Sequence, residues 1–243
     1  MALLSLNHRF YYSKMTIWIQ IIMVLAYIAG LVTASDLFSG YPSMDMSRLE
    51  NAQEYMTEVM VLTKIFLVMN ATYLGITFNL ESYNNLAKYV VDSSGKRLGF
   101  VYGKLIYQIL NSFIQILVYF LILAVYTSIF TPFEVVSEAN LRIFYYIFLE
   151  VLTLILMIDF LMMIFRNLFM GFLPFAIFWY MEINNHLEVI KNSEWLSTLY
   201  RIIPNLIRDE ESFILYQGVE LYLCIQVILI LGCGFLSLAR DVK

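Results

Sequence analysis

The stretch GFVYGKL at residues 99–105 is the part of this sequence that comes nearest to a phosphate-binding loop. A Walker A loop has four residues between its glycines, then lysine and serine or threonine, so that amides surround the phosphates and a hydroxyl binds magnesium. Here three residues separate Gly99 from Gly103, and Leu105 occupies the position of the hydroxyl residue. No strand pattern precedes the stretch. We therefore predict that this chain does not bind ATP here.

Metal and hydrolytic chemistry are not predicted either. The two histidines, His8 and His186, lie far apart, and EINNHLE at residues 182–188 has neither HExxH nor a similar spacing of ligands. A solvated loop is the favoured interpretation of that stretch. No GxSxG motif occurs, and no Ser/His/Asp set can be assembled at one depth. Cys224 and Cys233 are nine residues apart, which places them on opposite sides of a helix and prevents a disulfide.

The composition is that of a membrane protein. Of 243 residues, 61% are hydrophobic and only 14% are charged, and the mean hydropathy is +0.75. A soluble domain has about half its residues apolar and about a quarter charged. No basic face is large enough to follow a nucleic-acid backbone, so nucleic acid is not expected as a partner.

Six apolar segments are predicted to form transmembrane helices, which makes the fold class an all-α membrane protein with one domain, 1–243. The segments are 15–34, 56–78, 100–130, 141–165, 168–181 and 219–238. The third is long enough to tilt or to extend beyond the bilayer. The fifth, at about 21 Å, is too short to cross a hydrocarbon layer about 30 Å thick as one straight helix.

The distribution of basic residues predicts that both termini are cytoplasmic in a multi-pass protein of the plasma membrane. The predicted cytoplasmic side carries Arg9, Lys14, Lys88, Lys96, Arg97, Lys104, Arg166, Arg240 and Lys243. The other side carries Arg48, Arg142, Lys191, Arg201 and Arg208, together with most of the acidic residues. Lys104 is expected to reach the cytoplasmic surface with its ammonium group in water.

Lys64, Glu150 and Asp159 lie well inside apolar segments, where an unpaired charge is costly. Lys64 lies about 12 Å below the outer end of the second segment, and Glu150 about 13 Å below that of the fourth. This matched depth predicts a Lys64–Glu150 contact, either as an ion pair that fixes packing or as part of the polar lining of a translocation path. Asp159 is expected to meet Arg166 or water near the cytoplasmic surface.

Two connections carry patterns of their own. Apolar residues recur at helical spacing over 82–92, which predicts a short cytoplasmic helix that ends at Ser93-Ser94-Gly95. On the outer side, WLSTLYRIIPNLI at 195–207 suits a helix at or dipping into the interface, broken near Pro204.

In this arrangement the chain resembles the membrane subunit of an ABC-2 type transporter. The resemblance lies in the six segments, in ESYNNLAKYVVDSSGKR followed by GKL, and in WLSTLYRIIPN before the last segment. Such subunits have a coupling helix between spans two and three and an outer helical re-entrant segment between spans five and six. Among them, the chain looks most like compact exporters of bacteriocins or phenol-soluble modulins from Gram-positive bacteria. Many of these subunits have a longer N-terminal amphipathic helix. This chain departs from that pattern, because only about 14 residues precede its first segment.

The resemblance implies export of a hydrophobic or amphipathic cargo, an amphipathic peptide or lipid-like molecule, without enzymatic activity in this chain. ATP and magnesium would be bound by a separate ABC ATPase subunit, and a second copy or a paralogue would complete the transporter. The implied ATPase contacts are Glu81, Tyr83, Asn84, Leu86, Ala87, Lys88, Tyr89, Val90, Asp92, Lys96 and Arg97. The implied outer gate segment contains Trp195, Tyr200 and Pro204. The alternatives are a bacteriocin immunity or scaffold protein and a secondary transporter.

Overall fold

The computed structural model describes six helices and no strand within residues 14–39, 48–81, 94–130, 138–165, 167–183 and 219–239. In chain order they are α1 (Lys14–Ser39), α2 (Arg48–Glu81), α3 (Ser94–Phe130), α4 (Glu138–Phe165), α5 (Leu168–Ile183) and α6 (Val219–Ala239). Each helix contains one of the six apolar segments, so the all-helical prediction is confirmed for these residues.

Four of the helices, α1 to α4, are long and apolar enough to cross a membrane. The prediction that the fifth segment is short is also confirmed, because α5 has 16 residues and contains Pro174. At 1.5 Å per residue this helix is about 24 Å long, less than the hydrocarbon thickness of a bilayer. The apolar part of α6 is likewise shorter than that of the first four helices.

Helix α4 is the centre of the bundle, and it packs against α2, α3, α5 and α6. In its apolar part, 72% of the residues are buried, compared with 28% in α3 and 11% in α1. A helix that is apolar on every side and buried on every side belongs in the interior of a bundle. The outer helices expose large apolar side chains instead, among them Trp18, Phe130 and Phe235. Such an apolar exterior suits a lipid environment.

The core combines aliphatic packing with aromatic contacts between helices. Tyr27 of α1 lies edge-on to Phe66 of α2 at 5.6 Å and beside Tyr119 of α3 at 4.8 Å between ring centres. Its hydroxyl shares a 2.7 Å hydrogen bond with Thr63. A second polar contact between α1 and α2 is a reciprocal amide pair, in which Gln20 donates to Asn70 and Asn70 donates back at 2.8 Å. These contacts attach α1 to the bundle.

Glycine allows the short helix α5 to approach its neighbours closely. A Cβ atom added at Gly171 would lie 2.8 Å from Met162 Sδ on α4 and 3.0 Å from Ile76 Cγ1 on α2. Small residues at such positions bring membrane helices into van der Waals contact, since apolar burial from water gives no driving force in lipid. The fold therefore depends on the absence of a side chain at this position.

The third helix begins earlier than its apolar segment. It starts at Ser94, so Ser94 and Gly95 lie in its first turn, whereas the sequence pattern assigned them to the end of the preceding short helix. Lys96 and Arg97 belong to the same turn of α3. The predicted helix over 82–92 lies outside the described residues, as does the outer segment at 195–207.

Substituting Gly171 with valine tests the close approach of α5. We expect Gly171→Val to lower the free energy of unfolding by about 1–3 kcal/mol, because the added side chain overpacks the contact with α2 and α4. Thermal unfolding in detergent micelles measures the loss. Gly99→Val is the matched control, because no atom lies within 4 Å of a Cβ added at Gly99 of α3. Equal losses in the two variants would contradict this account.

Candidate functional site: two buried ion pairs on the central helix

Two anions, Glu150 and Asp159, lie on the buried central helix. They are nine residues apart, or two and a half turns, so they project from opposite sides of α4. Glu150 is 2% exposed and Asp159 is fully buried. An isolated carboxylate in such surroundings is strongly unfavourable, and each one therefore requires a cation or several donors.

The first pair joins α4 to α2. Lys64 Nζ lies 2.7 Å from Glu150 Oε2, as the matched depth of the two residues in the sequence predicts. Tyr222 of α6 donates a longer hydrogen bond of 3.4 Å to the other carboxylate oxygen. Both charged side chains are almost completely buried by helices of this one chain. This burial favours the role in packing over the role as a polar lining.

A neighbouring glutamine extends this polar contact along α6. The side-chain amide of Gln226, one turn beyond Tyr222, donates to the backbone carbonyl of Leu149 at 3.1 Å and to the hydroxyl of Thr153 at 3.0 Å. Tyr222 and Gln226 are both buried. Helix α6 is thus attached to α4 by hydrogen bonds on either side of Glu150.

The second pair joins α4 to α3 and corrects two predictions. Lys104 is 4% exposed, and its Nζ lies 3.1 Å from Asp159 Oδ1. The expectation that Lys104 extends into water is wrong, and so is the expectation that Asp159 meets surface water, because Asp159 is fully buried. The reason is the depth of Lys104: it lies ten residues beyond the start of α3, about 15 Å along the axis, and it reaches inward. Arg166 lies outside the described residues.

Two amides complete a cluster of four buried residues, which we call the Lys104 cluster: Asn79, Lys104, Gln108 and Asp159. Asn79 of α2 accepts a hydrogen bond from Lys104 and donates to Asp159 Oδ1. It also donates to the carbonyl of Gly75 at 2.7 Å. Gln108, one turn after Lys104, donates to Asp159 Oδ1 at 3.1 Å.

Aromatic packing covers one side of this cluster. The ring of Phe78 lies 5.6 Å from Lys104 Nζ, within the range of a cation–π contact. Three helices, α2, α3 and α4, therefore meet at one buried lysine. The sequence carried a signal for this cluster, since amides within apolar segments commonly form hydrogen bonds between membrane helices. Gln108 is such an amide, and Asn79 follows directly after the second segment.

The four buried charges balance. Within the described ranges, the charged residues that are buried are Lys64, Lys104, Glu150 and Asp159, and each lysine is bonded to one carboxylate. No three His, Cys, Asp or Glu side chains in these ranges come together as metal ligands would. The arrangement can hold helices together and place fixed charge at two depths.

The other predicted site residues are distributed as follows. Glu81 is the last residue of α2, and Lys96 and Arg97 are in the first turn of α3. Outside the described residues lie Tyr83, Asn84, Leu86, Ala87, Lys88, Tyr89, Val90, Asp92, Trp195, Tyr200 and Pro204. The cysteine prediction is consistent with the structure, because Cys233 is buried and Cys224 is exposed.

Comparisons with protein-family models, with curated proteins and with solved structures found no match to this chain.

The Lys64–Glu150 contact is testable by a double-mutant cycle. We expect Lys64→Met or Glu150→Gln alone to cost about 3–5 kcal/mol, because each leaves a buried charge without its partner. The double variant should lose less than the sum of the two. Unfolding in detergent micelles measures all three free energies. Additive losses would contradict a direct interaction.

The two ion pairs should be energetically independent. Glu150 and Asp159 are about 13.5 Å apart along α4 and are paired with different lysines, so the losses of Lys64→Met and Lys104→Met should add to within about 0.5 kcal/mol. The same unfolding measurement on the combined variant checks this. A coupling energy well above that value would show that the pairs act as one network.

Proposed function

We propose that this chain is the transmembrane subunit of an ATP-driven exporter of the ABC-2 type, acting with a separate ATPase. The observation that supports this function best is the relation between the end of α2 and the start of α3. Lys104 is bonded to Asn79, two residues before the end of α2. The ten residues of α3 before Lys104 extend the helix by about 15 Å, up to the point where the 82–93 connection enters it.

This extension is suited to receive a partner protein. It carries Lys96 and Arg97 on a continuous helix that is bonded to α2 and α4 through Lys104. A push applied to the extension, or to the connection beside it, would be passed along α3 as a rigid element to the Lys104 cluster. From there it would reach α2 and α4. Energy would enter the chain through this contact, and ATP and magnesium would remain on the ATPase.

The proposed transporter lies in the plasma membrane with both termini in the cytoplasm, and it contains a second copy or a paralogue of this chain. The cargo is a hydrophobic or amphipathic molecule, of which a peptide is the favoured class. The support for this cargo is the apolar character of the chain, with exposed side chains such as Phe113 and Leu121 along α3. A charged cargo would find almost no polar contacts on this surface.

Charge reversal at the start of α3 tests the ATPase contact. We expect Lys96→Glu combined with Arg97→Glu to weaken retention of the ATPase on the affinity-tagged membrane protein by about tenfold or more, because like charges placed at an interface cost on the order of 1.4 kcal/mol or more. ATP-dependent export should fall in parallel. Quantitative immunoblotting and a vesicle uptake assay measure the two effects.

The matched control is Arg240→Glu with Lys243→Glu, which makes the same charge change on the same predicted side. This control should retain the ATPase. If no ATPase co-purifies with the unaltered chain from its native membrane, and no ATP hydrolysis depends on the chain, the exporter proposal is wrong. An immunity or scaffold protein would then be the better interpretation.

A further inference from the structure

Two buried oxygen atoms in the Lys104 cluster have no hydrogen-bond partner among the described residues. They are Asp159 Oδ2 and Gln108 Oε1, on side chains that belong to a fully buried and a 1% exposed residue. Both atoms accept hydrogen bonds and neither donates them when Asp159 is ionised. Buried acceptors are normally satisfied, and buried water commonly satisfies those that protein groups do not reach.

The two atoms belong to side-chain groups that are already joined by a hydrogen bond. Gln108 Nε2 donates to Asp159 Oδ1 at 3.1 Å. Asp159 Oδ2 is the second oxygen of that carboxylate, and Gln108 Oε1 is the oxygen of that amide. One small molecule with two donor hydrogens, placed beside this contact, would satisfy both oxygens and complete a hydrogen-bonded ring.

Charge selects the ligand. Asp159 is already paired with Lys104 on α3, and among the described residues the buried thiol of Cys233 on α6 is near enough to interact with both charges. A metal cation at Asp159 Oδ2 would add positive charge beside the lysine ammonium in a medium of low dielectric constant. A proton on Asp159 would discharge the carboxylate that balances Lys104. A neutral donor has neither cost.

We propose that the Lys104 cluster binds one water molecule, which donates its two hydrogens to Asp159 Oδ2 and Gln108 Oε1. The site lies where α2, α3 and α4 meet. It is independent of the exporter function, because it rests only on the hydrogen bonding and charge of these buried groups.

Water-edited solid-state NMR of the protein in lipid bilayers tests this site. The full chain is labelled with ¹³C at the side-chain carboxyl of aspartate and the side-chain amide of glutamine, and the signal of Asp159 is assigned by its loss in Asp159→Asn. We expect magnetisation transfer from water to Asp159 Cγ, at the chemical shift of an ionised carboxylate. In Gln108→Met, which removes one of the two acceptors, this transfer should be lost while the carboxylate shift remains.

The matched control is Gln226→Met, which removes a buried glutamine from α6 and should leave the transfer to Asp159 unchanged. The chemical shift of a protonated carboxylic acid without water transfer would overturn the proposal in favour of a bound proton. An ionised carboxylate that receives no transfer from water in the unaltered protein would overturn it outright. That last measurement needs only the unaltered protein and the Asp159→Asn variant that assigns the signal.

Discussion

The burial of two carboxylates on one central helix is the constraint on which the rest of the structure depends. Glu150 and Asp159 face opposite sides of α4, so no single neighbour can neutralise both. Lysines from two different helices supply the charges, and α2 and α3 are thereby fixed on α4. Breaking either pair leaves a charge in the interior, which costs far more than the pair itself contributes to stability. Ion pairs of this kind specify which helices are neighbours.

The polar contacts and the close packing of small residues have complementary roles. Amides and hydroxyls determine the depth at which helices meet, as in the reciprocal contact of Gln20 with Asn70. Glycines determine how near the helices come, as at Gly171. In a lipid environment both are needed, because apolar side chains gain little by leaving lipid for other apolar side chains. The result is a bundle with specific polar contacts between its helices and, over the described residues, a mainly apolar exterior.

The sequence predicts the helices well and the buried cluster only in part. Hydropathy locates all six helices of the described ranges, because each contains one of the apolar segments. The Lys64–Glu150 contact follows from counting residues from the segment ends, since both ends are predicted to lie on the same side of the membrane. The same counting fails for Lys104. Counting places Lys104 only four residues inside its apolar segment, whereas α3 begins at Ser94, ten residues before Lys104. The partners of Asp159 depend on which way the side chains of α2 and α3 point, and a hydropathy pattern does not give that information.

The chain order of the buried charges has a consequence for biosynthesis. If the helices enter a bilayer as they are made, α4 brings two carboxylates, and a charged residue such as aspartate at the centre of a helix opposes insertion by about 2.5–3.5 kcal/mol. Its cationic partners, Lys64 and Lys104, belong to helices that are synthesised earlier. The two lysines would therefore already be present when α4 emerges, and α4 could insert against them instead of into lipid alone. Helices α5 and α6, which pack on α4, would have their docking surface only after this step.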